Sequence, residues 1–261
     1  RRLHLGSTNP DRPVICLRPK ILESVAVHFT SLFPGDVLYA VKCNPHIEVL
    51  RALFSGGIKH FDTASINEVK LIHNLFGNEA EAHFNHPVKS RSAIIESSSQ
   101  YNIKKFVVDS EDEIHKIISC ADLSKIQISV RLATPPGEAV QHMSSKFGAE
   151  PNEASRLLRF IRALDIPAGI AFHVGSQCRD PNDYYHAISL AAVVRDQSGV
   201  EVDTINVGGG FPIQYLDDSV PTEESFINRI CEGSEDFEFS NSRLQCEPGR
   251  GVVADSCSII T

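Results

Sequence analysis

Short apolar runs recur along the chain and alternate with longer amphipathic stretches. The first run, VICL at 14–17, leads into an amphipathic stretch from Pro19 to Leu32. Eight further runs predict strands: VLYAVK (37–42), KHFD (59–62), EAHF (81–84), KFVVD (105–109), IQISVRL (126–132), GIAFHV (169–174), TINVG (204–208) and RLQCE (243–247). Stretches of helical spacing lie between them, near 46–55, 66–76, 90–101, 111–119, 152–164, 181–196 and 222–232. Ser65, Ser110 and Thr222 read as N-caps. Glu68 and Glu113, three positions on, complete capping boxes with the first two, whereas Thr222 has Ser225 there.

Strands that alternate with helices imply βαβ units and a parallel sheet. Both faces of such a sheet are covered, so its strands read as continuous apolar runs, as VLYAV and KFVV do. Eight units in a chain of this length fit a closed (β/α)8 barrel of the TIM type, with an open doubly wound sheet as the competing topology. The expected division is a lead-in segment over 1–17 and a barrel domain over 18–261. Two irregular stretches interrupt the pattern, at 134–148 and 211–221; long loops in compact domains usually carry function.

Composition narrows the field. The chain has 261 residues, 42% of them apolar, and a formal net charge of −8. That apolar content can bury a real core. No run of about 18 apolar residues exists, so no membrane helix is expected. The acidic balance argues against a nucleic-acid partner. The seven cysteines, at 16, 43, 120, 178, 231, 246 and 257, show no CxxC pair. Reduced thiols in a cytoplasmic protein are the simplest reading. The start, RRLHLGSTNPDRP, has no apolar core of a signal peptide and no initiator Met. The chain is therefore expected to be a piece of a longer protein.

Polar residues cluster where strands end. Lys42, Asp62, Asp109, Arg131, His173, Gly208 and Glu247 all fall at or just past predicted strand termini. The C-terminal strand ends of a (β/α)8 barrel carry its active site. Lys42, closing YAVK, reads alone as a lysine reaching out to solvent. Buried, its amine would have a lowered pKa and could form a Schiff base with a carbonyl. Gly208, Gly209 and Gly210 suit either a turn or a backbone cradle for an anion. In a barrel their place after the seventh strand favours a phosphate site. Arg250, in EPGR, can clamp a phosphate in bidentate fashion. Glu247 stands three residues before it. His173 and Ser176 share the segment HVGSQ. Glu68 sits near Asp62 or serves only as the partner of Ser65. The other histidines form no HxxxH or HExxH pattern, so no metal site is expected. Cys43 has no evident base beside it. A lysine, a phosphate cradle, an arginine, an acid and a flat imidazole together meet the needs of pyridoxal phosphate.

These segments resemble the fold type III pyridoxal-phosphate decarboxylases, the ornithine, lysine, arginine and diaminopimelate enzymes with an alanine-racemase-like barrel. YAVKCNP, FDTASINE, FNHPVKS, FVVDSEDE, RLAT, SKFG, FHVGSQ, NVGGGFP and EPGR follow in the family's order along essentially the whole chain. YAVKCN, FDTAS and NHPVK are more similar to the ornithine/lysine branch. The resemblance implies Lys42 as the Schiff-base lysine, His173 as the imidazole stacked on the ring, and Glu247 as the partner of the pyridine nitrogen. Ser176, Gly208, Gly209, Gly210 and Arg250 would hold the phosphate. Asp62, Glu68 and Arg131 would support cofactor and lysine, and Lys146 would lie near a dimer interface.

The resemblance further implies decarboxylation of a small amino-acid substrate, ornithine or lysine. It also implies a cytoplasmic homodimer that shares its active sites across subunits, with a role in polyamine or related biosynthesis. Such proteins add a C-terminal β-domain that supplies a Cys-Asp pair and a Tyr. This chain ends at VVADSCSIIT, where that domain would begin, and Cys257 lies too early to be the Cys of the pair. Racemisation on the same barrel, or a non-catalytic relative like the antizyme inhibitors, are the alternatives.

Overall fold

The computed structural model describes residues 13–135, 137, 139–140, 146–215 and 219–260. β1 (Val14–Leu17) leads into α1 (Pro19–Leu32). Eight strands then close a parallel barrel: β2 (Asp36–Ala40), β3 (His60–Thr63), β4 (Glu81–Phe84), β5 (Lys105–Val108), β6 (Gln127–Arg131), β7 (Ala168–Ala171), β8 (Thr204–Asn206) and β9 (Arg243–Cys246). Closure runs from β9 to β2 through the register Asp36 to Gln245 and Val37 to Cys246. The strands are joined by α2 (Ile47–Ser55), α3 (Ile66–Phe76), α4 (Arg91–Gln100), α5 (Glu111–Ile118), α6 (Pro151–Ala163), α7 (Asn182–Ser198) and α8 (Glu223–Asp236), each where the sequence pattern places a helix. After β9, the single turn α9 (Arg250–Val253) leads to β10 (Cys257–Ile260). β10 pairs antiparallel with β1 outside the barrel, so the lead-in strand meets the last described strand. Among the described residues no helix is long and apolar enough to cross a membrane, and all seven cysteines are free.

The barrel strands are not uniformly apolar. Residues in register share a face, and two sets emerge. Val37, Tyr39, Phe61, Ala82, Phe84, Phe106, Val108, Ile128, Val130, Ile170, Ile205 and Cys246 join the core shared with the helices. Burying a Phe or Ile side chain there contributes about 1.5–3 kcal/mol. The alternate positions fill the barrel interior and are largely polar: His60, Asp62, Glu81, His83, Lys105, Gln127, Ser129, Arg131, Thr204, Asn206 and Gln245. Gln127 Nε2 donates to Thr204 Oγ1 at 2.8 Å. Gly169 makes room for this lining, since a Cβ there would stand 2.2 Å from Thr204 Oγ1 and 2.5 Å from Ser129 Oγ. The continuous apolar run expected of parallel strands therefore holds for β2 and not for β3, β4 or β6. A small barrel has its own inner face, and here that face is polar.

Two of the three caps form as read. Ser65 Oγ accepts from the Glu68 amide at 3.3 Å and Thr222 Oγ1 from the Ser225 amide at 3.3 Å. The Ser110 capping box does not form; Ser110 makes no side-chain cap. Its intended partner is drawn away by lysines: buried Glu113 accepts from the Lys89 amide at 3.0 Å and lies 3.1 Å from Lys89 Nζ.

Candidate active site

The strand ends converge at one mouth of the barrel. β2 leaves the sheet at Ala40, whose amide donates to Pro248 O at 3.1 Å. Lys42 therefore sits one turn beyond the strand, in the short 3-10 turn Val41–Cys43, tied to the EPGR segment. Lys42 Nζ donates to Asp62 Oδ2 at 2.8 Å. Asp62 is buried, whereas the lysine side chain is 51% exposed toward the mouth. The Asp62 carboxylate raises the amine pKa above its ordinary value, against the opposing effect of burial. The lowered pKa expected from the sequence is thus reversed, because a carboxylate on the neighbouring strand favours the charged form more than burial disfavours it.

Glu247 follows β9. Its Oε1 accepts from Asn85 Nδ2 at 2.7 Å and from Asn206 Nδ2 at 2.8 Å. Burial pushes its carboxyl pKa up to about 7, reinforced by the nearby Asp62 charge. Asn85 and Asn206 escape sequence reasoning. Both lie within motifs read for other reasons, FNHPVKS and NVGGGFP, and only the register of β4, β8 and β9 brings them to one carboxylate.

His173 lies two residues past β7. Its Nδ1 accepts from the Gly175 amide at 2.9 Å, which leaves the proton of the neutral ring on Nε2. Burial lowers its pKa to about 3, with Arg131 and Lys42 adding to the effect. Arg131, closing β6, lays its guanidinium over the Phe147 ring, 5.3 Å from the centroid. Glu68 remains close to its capping role: Oε2 accepts from the Ala64 amide at 2.7 Å, and burial raises its pKa. Asp109 accepts from the Gly148 amide at 3.1 Å and so holds the far end of the loop after β6.

The triple glycine is a close-packing device. A Cβ on Gly208 would stand 2.2 Å from Phe172 O, one on Gly209 2.4 Å from Glu247 O, and one on Gly210 2.4 Å from Gly175 O. Gly208 and Gly210 also hold positive φ, at 72° and 115°. Side chains are therefore excluded where the loops after β7, β8 and β9 meet. Arg250 reaches the same place: Nη1 donates to Tyr215 OH at 2.8 Å and Nη2 to Ser176 Oγ at 3.4 Å. Its buried Nε has no protein partner among the described residues. An orphaned guanidinium N–H beside a bare backbone cradle suits an anion such as phosphate.

These groups share a cavity of about 460 Å³, with Lys42, His173, Ser176, Gly209, Glu247 and Arg250 in its wall. Gly210 also lines it. Asp62, Arg131 and Gly208 do not line it: Asp62 contacts Lys42, Arg131 lies over Phe147, and the Gly208 amide donates to Asn206 Oδ1 at 2.9 Å. Lys146 is exposed and does not line this cavity; residues 141–145 of its loop lie outside the described set. A second lysine, Lys89, is fully buried, with Nζ donating to the carbonyls of His86, Pro87 and Val107 at 2.9, 3.2 and 2.6 Å. Burial lowers its pKa to about 8. Its amine is consumed by backbone, so Lys42 is the one that faces the cavity.

A parallel barrel with an amine, a buried carboxyl and a bare glycine cradle at its C-terminal mouth is an arrangement suited to pyridoxal phosphate. Residues 20–254 match the family described as pyridoxal-dependent decarboxylase, pyridoxal binding domain, and the chain belongs to it. It is 30% identical over 234 residues to the lysine/ornithine decarboxylase of Selenomonas ruminantium, covering 87% of this chain and 58% of that protein. It is 32% identical over 228 residues to the ornithine decarboxylase of Mus musculus, covering 85% and 48%. The crystal structure of a Paramecium bursaria Chlorella virus arginine decarboxylase bound to agmatine superposes with a TM-score of 0.82 at 27% identity, over 96% of this chain and 68% of that one. The chain thus spans about half the length of the curated relatives it matches.

Proposed function

We propose that this chain is the cofactor-binding part of an enzyme that decarboxylates a basic amino acid, ornithine or lysine, with pyridoxal phosphate held on Lys42. The observation that carries this reading is the single cavity that joins Lys42, Glu247 and His173 to the Gly-Arg250 cradle. The named relatives act on lysine, ornithine and arginine, which supports a basic amino acid as substrate.

Bound pyridoxal phosphate supplies an electron sink for the electrons left when CO2 departs. Gly209, Gly210, Ser176 and Arg250 would hold its phosphate, and the Arg250 Nε–H would gain its missing acceptor. Lys42 would hold its aldehyde carbon. Asp62 holds Lys42 Nζ through the 2.8 Å contact and would keep the free amine positioned beside the cofactor. Glu247, with Oε1 taken by two amides, offers Oε2 to the ring nitrogen. A carboxyl facing that nitrogen would hold a proton on it. His173, neutral and oriented by the Gly175 amide, presents a flat apolar face rather than a competing charge. The same reading expects a cytoplasmic homodimer that shares its active sites, with a role in polyamine or related biosynthesis.

Borohydride reduction of the protein with pyridoxal phosphate, followed by peptide mapping, tests the site. The expected product is one reduced adduct, on Lys42. Labelling spread over surface lysines, or centred on Lys89, would overturn it. A CO2-release screen of basic amino acids on the full-length protein then tests the substrate class, and racemised substrate without amine product would favour the racemase reading.

A further inference from the structure

At the opposite end of the barrel three ligand-type side chains meet. His60 opens β3 and is in register with Glu81, which opens β4, while His83 follows two residues later on the same face as Glu81. The ligand atoms of all three lie within 4.8 Å of one another. His60 Nδ1 stands 3.7 Å from Glu81 Oε2, and His83 Nε2 stands 3.5 Å from Glu81 Oε1. These two ring nitrogens are buried and have no hydrogen-bond partner among the described residues. His83 is only 1% exposed. Two orphaned imidazole nitrogens aimed at one carboxylate are costly unless something binds between them.

The spacing identifies what fits. A tetrahedral ion with nitrogen and oxygen ligands at about 2.0–2.1 Å has neighbouring ligand atoms about 3.3 Å apart. Each imidazole nitrogen stands beside a different oxygen of Glu81, at 3.7 and 3.5 Å, and the three ligand atoms, within 4.8 Å of one another, would have to draw together around one ion. Behind His60, Asp36 Oδ1 lies 3.6 Å from Nε2, the place where metal-bound histidines usually meet a carboxylate. Asp36 is itself held by Arg243 Nε at 3.1 Å and Gln245 Nε2 at 3.2 Å. His60 and Glu81 also line a cavity of about 410 Å³ that opens an entry path from solvent. One group opposes binding: Lys105 Nζ lies 3.0 Å from Glu81 Oε1.

We propose that His60, Glu81 and His83 form a binding site for a divalent transition metal of the Zn2+ class at the floor of the barrel, separate from the cofactor mouth. Two imidazoles and one carboxylate suit Zn2+ or Co2+ and disfavour Mg2+ and Ca2+, which prefer oxygen. A fourth position stays open toward the cavity. Lys105 acts as a built-in competitor, releasing Glu81 when the ion enters.

The test uses the full protein loaded with pyridoxal phosphate and titrated with Co2+, read by its visible absorption. The expected result is one equivalent bound with the intense bands of tetrahedral coordination, and displacement by Zn2+. His60→Asn should weaken binding at least tenfold, with cofactor absorbance unchanged as the check on folding. Lys105→Met should tighten it about tenfold, and this arm stands even where a histidine variant misfolds. A Co2+ spectrum no different from the aqueous ion, or binding indifferent to both His60→Asn and Lys105→Met, would overturn the proposal.

Discussion

The two ends of this barrel carry polar groups on different supports, loops past the strand ends at the mouth and the strands themselves at the floor, and behave differently. At the mouth, polar groups are already paired or oriented. Asp62 holds Lys42, two asparagine amides hold Glu247, and the Gly175 amide holds His173. Among the described residues, Arg250 Nε is left open, beside a cradle that glycines keep bare. At the floor, His60 and His83 leave their inner nitrogens unpaired beside Glu81. The mouth is assembled by loops that follow the strands, whose length and glycine content can vary without disturbing the sheet. The floor lies within the paired strands themselves, so its geometry is set by register. One end is thus tuned by loop chemistry, the other by barrel closure.

Lys42→Ala strikes the mouth hardest. It should abolish the borohydride adduct and lower decarboxylation by about 10⁴-fold or more, as loss of a covalent catalytic group does, while the Co2+ titration at the floor stays unchanged. Loss of both would show that the two ends are coupled. Glu247→Ala should reduce kcat by about 10²–10³-fold, in the range of general acid–base groups, with cofactor affinity changed less than tenfold. Equal losses in both would remove Glu247 from the ring nitrogen. Arg250→Met removes a charge-assisted contact worth about 1.5–3 kcal/mol, so the Kd for pyridoxal phosphate should rise roughly 10- to 100-fold with little change in kcat.

The smallest effect is on stability against pH. Folded Glu247 has a raised pKa, about 7 against an ordinary 4.5. Between those values the folded cofactor-free protein binds more protons than the unfolded chain, so this group costs stability as pH rises. His173 has the opposite sign: its pKa falls from 6.5 to about 3, so it costs stability as pH falls through that window. Glu247→Gln should therefore stabilise the cofactor-free protein at pH 8 relative to pH 5, by on the order of 1 kcal/mol in urea unfolding. A difference of the opposite sign would place the carboxylate in a more polar setting than its burial implies.

Much of this protein was legible along the chain. Hydrophobic periodicity set the order of strands and helices, because a βαβ unit needs an apolar strand and an amphipathic helix in turn. The mouth was legible because its residues travel in compact motifs at strand ends: YAVK, HVGSQ, GGG and EPGR. Tertiary structure decided what depends on proximity between distant segments. Asn85 and Asn206 meet at Glu247 across 162 and 41 positions. Glu113 abandons Ser110 for Lys89 and Lys116, and Asp62 reverses the expected shift of Lys42. The polar inner lining, and the meeting of His60 with Glu81 and His83, arise only when strands pair in register and the sheet closes. A sequence states which residues alternate; closure alone decides which of them face one another.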